Sequence, residues 1–151
     1  MIKGLLKREK DVALLVDGPN ILRKFDGRQV KLEDIDEAAA QLGNIVFAKV
    51  YLDTNAPTKL VQAVTNSGFE PQVVTHDIHI TLAIEAYHLI YANSVHVLAI
   101  ASRHARCAPL LRKVKEKGIE TAVLGFEPGF AVALKNSADF VFELLPEEIP
   151  A

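Results

Sequence analysis

What this chain lacks narrows its function first. Its one cysteine, Cys107, leaves no intrachain disulfide to form, which suits a reducing compartment. The segment Met1 to Lys10 is basic and has no apolar run of the signal-peptide kind, and no stretch approaches the length of a membrane span. A cytoplasmic protein without membrane association is therefore expected. There is no internal repeat and no low-complexity segment. The G-x-G-x-x-G and G-x-x-x-x-G-K-[ST] loops are absent, which argues against a dinucleotide or nucleotide-triphosphate phosphate site. The G-x-S-x-G elbow is absent too. No C-x-x-C or H-E-x-x-H spacing points to zinc. With no base pattern beside it beyond His104, Cys107 reads as a structural thiol.

What is present is an alternation of apolar strands and amphipathic helices in 151 residues, half of them hydrophobic, enough for one full core. Strands are predicted over 12–16, 44–52, 69–74, 95–101, 119–124 and 140–142. Helices are predicted over 32–42, 57–67, 80–91, 108–117 and 130–136. On the first helix Leu32, Ile35, Ala39 and Leu42 share a face. On the third, Ile80, Ile84, Tyr87 and Tyr91 form the predicted apolar face, with Thr81, Glu85 and His88 as an opposing polar stripe. The order βαβα predicts an α/β domain with a central parallel sheet flanked by helices. Right-handed crossovers put the loops after the strands on one rim. That rim gathers Asp17, Asp53, the 75–79 segment, the 102–106 segment and residues 125–127.

Val12-Ala-Leu-Leu-Val-Asp17-Gly-Pro-Asn20 is the most informative stretch. A doubly buried strand runs directly into an acid at its carboxyl end, where ligands of open α/β sheets bind. A carboxylate there needs a metal, a cation or N–H groups as partner. It could equally cap the next helical turn. Asn20 could bond Asp17, bond a phosphate or act as an N-cap. Asp139 could cap the last element or reach the rim. Asp17, His79, Glu85 and His104 form a candidate carboxylate–imidazole set of a kind suited to zinc or manganese.

The net charge of −2 does not by itself call for a polyanion. Its distribution is uneven. Arg103, Arg106, Arg112, Lys113, Lys115 and Lys117 crowd one stretch, and Lys3, Lys7, Arg8 and Lys10 form a second cluster. Beyond Gly118 the only base is Lys135, among six acids. Such a chain can present a basic face to a nucleic acid.

Several segments together resemble the NYN domains of the PIN-like ribonuclease superfamily, and most of all its short, stand-alone archaeal members. Asp17-Gly-Pro-Asn20 is similar to the family's Asp-Gly-x-Asn signature. Phe69-Glu-Pro-Gln-Val-Val74 and Leu82-Ala-Ile-Glu85-Ala resemble its third strand and acid-bearing helix. Residues 97–111 resemble its Ser/Thr-x-Asp-x-Asp-Phe-x-Pro-Leu segment. Gly118-Ile-Glu-Thr-Ala-Val-Leu-Gly125 and Leu134-x-x-x-Ala138-Asp139 resemble its last strands. The resemblance implies a three-layer PIN-like domain over 11–142, after a basic extension at 1–10 and before an acidic tail at 143–151.

The resemblance also implies metal-dependent hydrolysis of RNA by Mg²⁺ or Mn²⁺ held on clustered acids. Asp17 and Glu85 match acid positions, with Asp77 as a third candidate ligand. The acid expected ahead of Leu82 falls on His79, or on Asp77 two residues earlier. The pair expected after the fourth strand falls on His104 and Arg106. A cation at 106 repels a metal and attracts a phosphate. The expectation is thus an RNA-binding protein with a degenerate metal site. Asn20, Arg103, Arg106, Arg112 and Lys113 are its RNA contacts. RNA is the partner and a homodimer the assembly admitted. One alternative is a ribonuclease retaining Asp17, Glu85, His79 and His104 as catalytic residues. It would use one Mg, Mn or Zn ion on Asp17, Glu85 and Asp77, or a histidine base with no metal. A protein-interaction or small-molecule scaffold is the remaining alternative.

Overall fold

β1 (Asp11–Asp17) forms because Val12 to Val16 are apolar on both sides, and all five are fully buried. A computed structural model describes residues 9–92 and 94–150. The basic residues Lys3, Lys7 and Arg8 lie outside the described residues. β3 (Asn44–Leu52) and β4 (Glu70–Val73) extend the sheet to one side of β1; β5 (Val97–Ala101), β6 (Glu120–Gly125) and β7 (Phe140–Glu143) extend it to the other. The order is β4-β3-β1-β5-β6-β7 and every pairing is parallel. The strand order therefore reverses between β1 and β5. In open α/β sheets that reversal opens the ligand crevice at the carboxyl ends.

Helices cover both faces. Val12, Leu14, Val16, Val50, Leu52 and Leu124 look toward the layer that contains Ile35 of α2 (Leu32–Ala40) and Val64 of α3 (Thr58–Asn66). Ala13, Leu15, Leu98, Ile100 and Val123 look toward the other layer. It contains Leu82 of α4 (Ile78–Tyr91), Leu111 of α5 (Ala108–Lys115) and Leu134 of α6 (Val132–Ser137). Element ends agree with the sequence reading to about two residues, the usual fraying of termini. Four short elements are additional: α1 (Gly18–Ile21), a 3₁₀ turn at Ala105–Cys107, and the two-residue strands β2 (Arg28–Gln29) and β8 (Glu147–Glu148).

One predicted face is corrected. Ile80, Ile84 and Tyr91 are 56%, 67% and 66% exposed, whereas Leu82, Ala86 and Ile90 are the residues α4 buries. Both sets recur at helical spacing, and packing on β1 selects the second.

The acidic carboxyl segment folds back on the body. β8 pairs with β2, the Ile149 N–H donates to the Gly27 carbonyl, and Lys31 lies 2.7 Å from Glu147. No helix among the described residues is long and apolar enough to cross a membrane.

Candidate functional site

The β1–β5 crevice is organised around Asp17. Its side chain is 4% exposed and makes no helix-cap bond to α1. Instead one carboxylate oxygen, Oδ2, accepts the Nε2–H of His79 at 2.8 Å and the Ser102 hydroxyl at 2.9 Å. Facing a carboxylate, Nε2 must carry a proton. The Asp17 hydrogen bond raises the His79 pKa, against burial that lowers it.

Asp77 is the N-cap of α4. It accepts from the His79 and Ile80 amides at 2.9 and 3.4 Å, which fixes where the helix starts and so aims His79 at Asp17. Its other oxygen accepts from Arg106 at 2.6 Å, and this bond is the main cause of a carboxyl held below its ordinary range. His104 caps the 3₁₀ turn: its Nδ1 accepts the Arg106 amide at 3.1 Å. Nε2 of a neutral His104 is then a donor on an exposed ring. The His79 and His104 rings are 4.9 Å apart between centroids, tilted by 46°.

The other sequence-predicted residues have partners of their own. Glu85 is tied to β3, where it lies 2.7 Å from the Lys49 ammonium and accepts from the Tyr51 hydroxyl. Asn20 accepts the Arg103 amide on Oδ1 at 2.7 Å, rather than bonding Asp17 or capping a helix. Arg103 is turned into the loops around it. It donates to the Asn20 and Pro128 carbonyls at 3.0 and 2.7 Å and stacks 4.3 Å over Phe126, bracing the loops after β1, β5 and β6 against one another. The charged end of Arg103 is thus already bonded to main chain. Arg112 donates to Ser137 at 3.1 Å and turns toward α6, away from the rim. Lys113 stays on the α4 side of α5 and is exposed. Asp139 bonds Thr121 at the amino-terminal part of β6, so it does not reach the rim. Burial pushes the Cys107 thiol up to about 11, which leaves it protonated and unreactive.

The NYN domain family model matches residues 11–145 of this fold and site. The chain belongs to the NYN domain family. An uncharacterized protein of the archaeon Methanocaldococcus jannaschii is 41% identical over 138 residues, which make up 91% of this chain and 57% of that relative. The chain thus spans little more than half of that relative's length. A crystal structure of a protein of unknown function from Vibrio parahaemolyticus superposes with a TM-score of 0.80. It shares 19% identity, covers 92% of this chain and 98% of its own, and shows the common fold.

NYN domains are PIN-like nucleases, a class that generally depends on divalent metal. The residues of this NYN domain do not fit such an ion. Asp17 is bonded to His79 and Ser102, Asp77 to Arg106 and the α4 amides, and Glu85 to Lys49 and Tyr51. Among the described residues no three His, Cys, Asp or Glu side chains group so as to hold a metal ion. The expected ligand set Asp17, Glu85 and Asp77 is therefore not assembled, because each carboxylate has its own partner in the chain.

Sequence reasoning missed Ser102, Lys49 and Tyr51. Ser102 had a signal, its place at the end of a buried strand. Lys49 had none, since a lysine inside a strand reads as solvated until its partner on α4 is known.

Proposed function

We propose that this NYN domain binds RNA at the β1–β5 crevice without a divalent cation. The observation that carries the reading is the bonding of Asp17. The carboxylate that would anchor a metal accepts two protein donors, and the positions beside it present imidazoles and a guanidinium. With Asp17 paired to His79 and Asp77 to Arg106, the rim offers imidazole and guanidinium donors to a phosphodiester and no unpaired carboxylate cluster to Mg²⁺. Lys113 lies next along the same surface as Arg106. Arg106, His104 and Lys113 form the RNA-facing set, whereas Asn20 and Arg103 hold the loops and Arg112 ties α5 to α6. A reducing cytoplasm suits a chain with one buried thiol.

The test is a salt titration of binding to a labelled RNA mixture. Affinity falls linearly with salt on logarithmic axes, and Arg106→Ala and Lys113→Ala each reduce the slope by about one. Failure to bind at low salt overturns the reading.

A second reading rests on the His79–Asp17 bond. A buried carboxylate that orients an imidazole is how a general base is set up, and the exposed His104 ring stands beside it. In that case the 2′-hydroxyl loses its proton to one histidine and attacks phosphorus, and the leaving 5′-oxygen takes a proton from the other. Chelator-resistant cleavage to a 2′,3′-cyclic phosphate, lost in both His79→Ala and His104→Ala, would support it. Intact RNA after long incubation would overturn it.

A further inference from the structure

Ile80, the first exposed apolar residue of α4, lines a groove. Ile80, Ala83 and Tyr87 form one wall, Pro109, Leu110 and Lys113 of the α5 side form the other, and His79 and Arg106 close the end nearest the crevice. The groove has a volume of about 400 Å³, enough for one nucleotide-sized group. Tyr91 follows Tyr87 one turn further along α4. The Tyr87 and Tyr91 rings are 5.9 Å apart at 34°, and the Lys117 ammonium sits 4.4 Å over Tyr91.

Two tyrosines and three cations therefore share this face: Arg106, Tyr87 and Lys113 line the groove, and Lys117 lies over Tyr91. Two carboxylates accompany them. Asp77 holds Arg106, and Glu116 lies 3.5 Å from Lys113 in an exposed pair of little energetic weight. A face meant only for another helix has no need of three cations among its apolar side chains. Flat rings flanked by positive charge suit bases on the rings and phosphates on the charges. α4 runs roughly 20 Å, long enough for a few nucleotides of strand.

We propose that the α4–α5 groove is a nucleobase subsite, resting on the RNA-binding reading above. An unstacked base lies between Tyr87 and Pro109, its phosphates face Arg106 and Lys113, and the strand runs on over Tyr91 toward Lys117. A site of this kind takes bases by their faces, so it tolerates sequence and rejects duplex.

The experiment measures affinity for a fluorescein-labelled oligouridylate and for a duplex of equal length, together with thiouridine crosslinking mapped to peptides. Tyr87→Ala is expected to weaken the oligouridylate about tenfold, while Tyr87→Phe, which keeps the ring, restores the parent value. Because Tyr87 is half-buried, Ile80→Glu is a companion variant. Its site is exposed, so it leaves folding intact, and its carboxylate in the groove is expected to cause a similar loss. Crosslinks are expected on α4 and α5. Unchanged affinity in folded Tyr87→Ala and Ile80→Glu, or crosslinks confined to other elements, overturns the subsite but leaves RNA binding standing. Absence of binding to either RNA overturns both.

Discussion

His79 donates its Nε2–H to the Asp17 carboxylate across 2.8 Å, joining the start of α4 to the end of β1. A buried carboxylate without a partner is costly. In this protein the partner comes from the chain, and that choice shapes both stability and the chemistry available at the crevice.

Stability should carry the pH signature of this bond. The His79 pKa is raised above its ordinary 6.5, chiefly by the hydrogen bond to Asp17. Its contribution is fully present below pH 6.5 and is lost as pH rises through the raised folded-state value. Asp77 works in the opposite sense: its carboxyl is held below the ordinary 3.8, so its contribution is present above that pH and lost as pH falls through the lowered value. Thermal melts across pH should decline toward alkaline pH in the parent and lose that decline in His79→Gln. Parallel curves for the two proteins would contradict the assignment.

Arg103 should behave as a brace. Two main-chain carbonyls and the Phe126 ring hold its guanidinium. Neither Arg103→Lys nor Arg103→Ala can reproduce that fork, and each should lose about 2 kcal/mol in denaturant unfolding. The salt slope of RNA binding should stay at the parent value. A reduced slope with unchanged stability would make Arg103 an RNA contact instead.

Glu85 should matter for folding through Lys49. The Lys49 side chain is 9% exposed, and besides Glu85 it has Gln72 at 2.9 Å and the more exposed Glu70 at 3.6 Å. Removing the nearer carboxylate leaves a buried ammonium poorly compensated. Glu85→Gln should therefore cost roughly 2 kcal/mol, below the range for fully buried pairs because Glu85 itself is partly solvated. Binding of Mn²⁺ should not change between parent and variant. A calorimetric Mn²⁺ signal lost in Glu85→Gln would restore Glu85 as a ligand.

Gly18 is demanded by packing. A methyl group there would strike the Tyr51 carbonyl oxygen and come within 2.8 Å of a Leu52 side-chain carbon. Gly18→Ala should destabilise the domain by about 3 kcal/mol, seen in urea unfolding. It should also displace Asn20, which would loosen the loop that Arg103 braces.

The same glycine illustrates what could be read before the structure. Asp17-Gly18-Pro19-Asn20 marked the end of β1 because apolar runs and turn residues act locally, and so the parallel sheet and its order of helices were legible. The face of α4 was not. Ile80/Ile84/Tyr91 and Leu82/Ala86/Ile90 are both apolar at helical spacing, and only contact with β1 decides between them. The site was half legible. Asp17, His79 and His104 do come together, since all three sit at strand or helix ends facing one crevice. Glu85, Arg103 and Arg112 are directed by partners far away in sequence: Lys49, Pro128 and Ser137. No local pattern announces such pairs.

The central claim, RNA binding without a divalent cation, is tested most directly by one titration. Metal-stripped protein and Asp17→Asn are each titrated with labelled RNA in chelator, in Mg²⁺ and in Mn²⁺, and the RNA is then examined for cleavage. The parent should bind in chelator as tightly as in metal at matched ionic strength, and no metal-dependent cleavage should appear. Binding that requires Mg²⁺ or Mn²⁺, or metal-dependent cleavage that Asp17→Asn abolishes, would contradict it.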